Sequence, residues 1–150
     1  MKIIYTTPTP DISLSKSYYE SLGFQILEME KKAYALSSQV IMEIDPKRTA
    51  RAGVKIYEAD VEDLRSKFSR TAKIHEYDQG FLLSDPSNVW IYVEDTKLPE
   101  AIKKAGQAEL MGNFAGMSLE TTDIHRSIEI WSCLNTLMKP LKMRMTGFWL

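Results

Sequence analysis

The 150-residue sequence predicts an α+β protein of paired βαβββ modules followed by a partial third module. Three observations predict it: a strand, a helix and three strands succeed one another up to Ile44; the same order recurs over residues 53–94; and a third helix start at Asp123 repeats the first.

Met1 to Thr7 is apolar and β-branched and reads as a strand that ends at Pro8 and Pro10, which lack a backbone donor. Asp11-Ile-Ser-Leu-Ser supplies capping oxygens for a helix with Tyr18, Tyr19 and Leu22 at helical spacing, and Gly23 follows as a C′ residue. Phe24–Met29, Ala33–Ser37 and Gln39–Ile44 are extended segments that complete the first module. In the second, Gly53–Ala59 is a strand and Asp60 opens a helix with Val61, Leu64 and Phe68 on one face. Lys73–Tyr77, Gly80–Leu83 and Val89–Glu94 are its remaining strands.

A third beginning follows. Phe114–Glu120 is strand-like, and Asp123–Asn135 lies over Asp11–Gly23 without a gap. The capping Asp, the Ile, the Ser at the fifth position, the aromatic at the ninth and the Leu at the twelfth all match. The helix starts are 49 and 63 residues apart, and the longer interval contains the helix-prone segment Leu98–Met111. The expected organisation is a two-module domain over 1–95, a connecting helix within 96–112 and an incomplete third module over 113–150.

Lys plus Arg total 19 against 20 Asp plus Glu, and this near balance argues against nucleic acid as a partner. A single cysteine, Cys133, excludes an internal disulfide and fits a reducing compartment. No run approaches the roughly 20 apolar residues that span a bilayer, so no membrane partner is expected and the expected location is cytoplasmic.

The string PTPDISLSKSYYESLGF resembles the opening signature of the vicinal-oxygen-chelate superfamily, which includes glyoxalases, bleomycin resistance proteins and extradiol dioxygenases. The string LLSDPSNVWIYVED is similar to that superfamily's closing strand. The resemblance implies that two modules enclose a cleft holding a divalent metal, with a His from the first strand and a Glu from the last strand of each module. The matching positions are Tyr5, Glu43, Gly53 or Val54, and Tyr92, of which only Glu43 is a ligand-type residue. Glu94 shares a strand face with Tyr92, and His75 and His125 lie outside the matching positions. A catalytic metal needs about three protein ligands, so neither a metal nor another cofactor is expected.

Strand alternation places Ile4, Val54, Ile56, Val89, Ile91 and Val93 under helices. The other parity collects Tyr5, Thr7, Glu43, Lys55, Tyr57, Trp90, Tyr92 and Glu94, an aromatic wall with a few charges that suits a small aromatic or cationic ligand. No catalytic residue is assigned, because neither a nucleophile–base arrangement nor a glycine-rich phosphate loop is present; Cys133 reads as a small buried hydrophobe within a helix. Two other functions fit the same residues: a metal-dependent lyase, isomerase or dioxygenase with an altered ligand set of Glu43, Glu94 and His75, and an interaction module with a closed cleft. After its helix the third module has room only for strands at Thr136–Lys142 and Arg144–Leu150. The methionines of this tail (Met111, Met117, Met138, Met143, Met145) and Phe148, Trp149 and Leu150 suggest a homodimer, or a tail packed back on the first domain.

Overall fold

Three aspartates start the three longest helices of the computed structural model, which describes residues 1–105 and 108–134. The carboxylate of Asp11 accepts from Leu14 N, that of Asp60 from Asp63 N and that of Asp123 from Arg126 N, each satisfying a backbone donor that the helix cannot. The repeat between the first and third starts extends to the hydroxyls. Thr9 pairs with Ser15 at 2.6 Å and accepts from Asp11 N, while Thr121 pairs with Ser127 at 2.8 Å and accepts from Asp123 N. Gly23, at φ +95°, closes the first helix with its own N–H on Glu20 O and that of Phe24 on Tyr19 O.

The first module comprises β1 (Lys2–Pro8), α1 (Ile12–Ser21), β2 (Gln25–Met29), β3 (Lys32–Leu36) and β4 (Ile41–Asp45). The second comprises β5 (Gly53–Tyr57), α2 (Val61–Phe68), β6 (His75–Tyr77), β7 (Gly80–Ser84) and β8 (Trp90–Glu94), and α3 (Glu100–Ala105) and α4 (Ile124–Ser132) follow. This is a pair of βαβββ modules with a partial third. All eight strands form one sheet in the order β2-β3-β4-β1-β5-β8-β7-β6. Within each module the first strand runs parallel to the last, and the modules join where β1 meets β5 antiparallel.

One face of the sheet carries α1, α2 and α4. Ala33 and Ala35 of β3 let α1 approach closely through Ile12 and Tyr19. Leu64 and Phe68 of α2 pack with Val54, Ile56, Phe81, Leu83, Ile91 and Val93. Ile130 and Trp131 of α4, with Leu134, join the same cluster, and Trp131 Nε1 donates to the buried Asp85 at 2.9 Å. The described part of the tail thus packs back on the first domain. Cys133 is the half-buried C-cap residue of α4 rather than a mid-helix hydrophobe.

Two expected elements differ. Among the described residues of Leu98–Met111 only α3 is helical, and Ala108 O accepts from Ser38 N while Met111 N donates to Leu22 O, which ties residues 108–111 to the first module. Phe114–Glu120 is not a strand. Its start is held by side chain instead of a ladder, with Gln39 bonded to Gly112 O and Phe114 N, while Met117 and Leu119 lie against the second-module core. The strands expected at Thr136–Lys142 and Arg144–Leu150 lie outside the described residues, as do Met138, Met143, Met145, Phe148, Trp149 and Leu150. No helix among the described residues is long and apolar enough to cross a membrane.

Since α4 shares the second-module core, Ile130→Ala should lower the stability of the whole fold by about 2–5 kcal/mol, read as a shift of a single urea transition. An unmoved transition would mean that α4 is not part of that core.

Candidate functional site

The face opposite α1 and α2 is defined by register. Thr6 lies opposite Glu43 and Gly53, Ile4 opposite Lys55, and Lys55 opposite Tyr92. Tyr34 lies opposite Glu43, and Tyr92 opposite Leu82. Residues opposite one another share a face, so this inner face carries Ile4, Thr6, Lys32, Tyr34, Glu43, Asp45, Lys55, Tyr57, Trp90, Tyr92 and Glu94. Lys32 on β3 and Tyr92 on β8 are four strand spacings apart on this face, with Glu43 of β4 and Lys55 of β5 between them.

Six of the eight expected site residues, Glu43, Lys55, Tyr57, Trp90, Tyr92 and Glu94, come together here. Tyr5 and Thr7 do not. They alternate with Ile4 and Thr6 onto the helix face, where the Tyr5 ring meets Phe114 at 5.2 Å and Thr7 lies near the Tyr19 hydroxyl. Ile4, expected under the helices, is fully buried on the inner face. Because β1 is central and covered on both sides, its alternation of apolar and polar residues does not report which face is which.

Glu43 is the centre of the inner face and only 1% exposed. Its Oε1 accepts from Lys32 Nζ at 2.8 Å and lies 3.0 Å from Lys55 Nζ, while Oε2 accepts from Tyr34 Oη at 3.2 Å. Lys32 also reaches Asp45 at 3.0 Å, and Lys55 lies 3.8 Å from Glu94. Burial alone would lower the Lys32 pKa, but the hydrogen bonds and charges of Glu43 and Asp45 outweigh it and hold the ammonium well above the usual lysine range. Burial, followed by the charge of Glu43, pushes the Tyr34 hydroxyl up; burial, followed by the charge of Glu94, does the same to Tyr57 and Tyr77. These phenols stay protonated at neutral pH, and that of Tyr34 donates to Glu43. The Tyr77 hydroxyl is buried beside Glu94 without a hydrogen bond of standard geometry.

The two halves of this face differ. Over the first module, Leu98 and Ile102 of the α3 segment, 2% and 1% exposed, seal Ile4, Tyr34, Leu36 and Tyr57 beneath them. Over the second, Trp90 and Tyr92 are only partly buried, with ring centroids 5.9 Å apart. Arg51 lies 6.0 Å over the Trp90 ring, and Lys55 lies 5.3 Å over the Tyr92 ring. Gly53 makes this placement possible, because a Cβ there would overlap the carbonyl of Trp90. Two surface depressions, of about 460 and 260 Å³, lie elsewhere, beside Asp60, Arg65 and Glu76 and beside Asp85 and Arg126. Neither includes an expected site residue.

The residues at the centre of this face do not fit a divalent metal. Both Glu43 oxygens are engaged by lysines or a phenol, and Lys55 stands between Glu43 and Glu94. His75 is exposed on the edge strand β6 and His125 is exposed on α4. Among the described residues, no three His, Cys, Asp or Glu side chains gather as a metal-holding group. Comparison with known proteins finds no family model and no curated protein that matches this sequence.

Sequence reasoning missed Thr6, Lys32, Tyr34, Asp45, Arg51 and Tyr77. For Lys32, Tyr34 and Leu36 a signal was present: they alternate with Ala33 and Ala35, small residues that mark the side on which a helix packs.

Glu43→Gln should leave Lys32 with only Asp45 and Lys55 with only the more distant Glu94 as counter-charge and destabilise the protein by about 3–5 kcal/mol, measured by urea unfolding at pH 7. Asp45 tests the same network through pH. Burial raises its pKa, but the Lys47 backbone N–H and the bond and charge of Lys32 outweigh this and hold it below the usual value. Its stabilisation is therefore complete above the unfolded pKa of about 3.9 and is lost as pH falls through the lower folded value. The stability gap between wild type and Asp45→Asn should be present at pH 7 and narrow steadily below pH ~4; a gap independent of pH would contradict this account of Asp45.

Proposed function

We propose that the chain is a vicinal-oxygen-chelate-like protein that works without a metal and binds a small planar aromatic molecule on the open half of its inner face. The observation that carries this reading is the Trp90–Tyr92 pair: two adjacent, partly exposed rings beside an ion network whose own members satisfy one another. Flat apolar area with polar groups at its rim is what a planar ligand requires, since stacking supplies the contact and the rim supplies orientation. Glu43 is fully engaged and is therefore a structural anchor in this reading, not an acid or base awaiting a substrate.

A second reading has one observation in its favour. The α3 segment already seals the first-module half of the cleft, as it would in an interaction module whose cleft is closed. A thermal-shift screen with planar aromatic compounds separates the two. A ligand at 100 times its Kd stabilises by about 2.7 kcal/mol, which in a domain of this size is a rise of several degrees in Tm. Trp90→Ala should abolish that rise when each protein is compared with its own ligand-free baseline. Failure of every compound to move the wild-type Tm would leave the closed-cleft reading.

A further inference from the structure

We infer that the open half of the inner face selects aromatic anions, an aromatic carboxylate being the simplest, with the Arg51 guanidinium taking the negative charge; this rests on the binding reading above.

The cations around the rings are not equivalent. Lys32 is held by Glu43 and Asp45, and Lys55 by Glu43 with Glu94 beyond it, so both ammonium charges are answered within the protein. Arg51 is different. Among the described residues it takes part in no ion pair, and its side chain donates only to the carbonyl of Ala50. Its exposed guanidinium lies over the Trp90 ring, 6.0 Å from the centroid, with donors to spare. Lys47 and Arg48 are exposed on the same loop between β4 and β5 and add to the positive potential at this lip.

A cationic ligand meets two obstacles here. The ring faces that would attract it already have Arg51 and Lys55 over them, so it would displace a resident cation. It would then face the cation it had not displaced, while the nearby carboxylates of Asp45 and Glu43 are already paired with Lys32 and Lys55. A carboxylate on a flat ring gains where the cation loses: its ring lies against the part of the Trp90–Tyr92 pair that Arg51 and Lys55 leave exposed, and the planar guanidinium accommodates both oxygens at once.

Isothermal titration calorimetry on the full chain at low salt, with three probes that share one ring system, tests this: 2-naphthoate, 2-naphthalenemethanol and 2-naphthylmethylammonium. The naphthoate should bind about tenfold or more tighter than the alcohol, a difference of roughly 1.4 kcal/mol, and the ammonium should bind more weakly than either. Arg51→Gln should bring the naphthoate down to the affinity that the same variant shows for the alcohol, and Arg51→Lys should restore part of the difference. The charge selection is overturned if the ammonium binds as tightly as the naphthoate, or if Arg51→Gln leaves the naphthoate-to-alcohol ratio where it was. Absence of binding by all three overturns the binding reading itself, whereas equal binding by all three overturns only the selection.

Discussion

Strand β1 hydrogen-bonds in parallel to β4 on one side and antiparallel to β5 on the other, so its register decides which side chains of the two modules can meet. With Thr6 opposite Glu43 and Ile4 opposite Lys55, the inner face receives a buried acid from the first module and a lysine from the second, close enough to pair. A slip of one residue would turn Tyr5 inward and direct Ile4 toward the helices. Cores on both faces resist such a slip, since Tyr5 rests against Phe114 and Ile4 lies beneath the α3 segment.

That register has an energetic consequence at Glu43. Burying a carboxylate costs several kcal/mol unless partners answer its charge and its lone pairs. Here two ammonium groups and one phenol do so, contributed by β3 and β5, which flank β4 and β1 in the sheet. The pair formed by Lys55 and Glu43 also ties the second module to the first across the seam. A position that the superfamily resemblance associates with metal binding therefore serves here as a junction between modules, and its chemistry is that of a satisfied ion cluster.

The helix starts were legible because their signal is local. An Asp that caps its own first turn needs nothing from the rest of the fold, and Asp11, Asp60 and Asp123 all cap as their sequences suggest. The strands were legible to within a residue or two, through β-branched runs broken by turn residues. On β5 and β8 the face could also be read, because Val54, Ile56, Ile91 and Val93 alternate with Lys55 and Tyr92. On β1 it could not, since Tyr5 is an aromatic that packs in a core and Ile4 is an aliphatic that packs in another. The fate of Phe114–Glu120 was also hidden. Whether an extended segment finds a ladder depends on a free strand edge within reach, and that is a property of the assembled sheet, not of the segment.

The two modules share a plan, and the chain that follows them removes their equivalence. The α3 segment leaves β8, is tethered where Lys103 pairs with Glu58 at 2.9 Å, and covers the inner face of the first module with Leu98 and Ile102. The described tail then crosses to the other side of the sheet, and α4 covers the helix face of the second module. Connector and tail thus each bury one half of one face, and they take opposite choices. Among the described residues, the inner half left partly uncovered is the one that β8 supplies with Trp90 and Tyr92 and the β4–β5 loop supplies with Arg51. The location of the open surface follows from where the chain goes after its second module, and its basic aromatic character follows from the residues that β8 and this loop already carried.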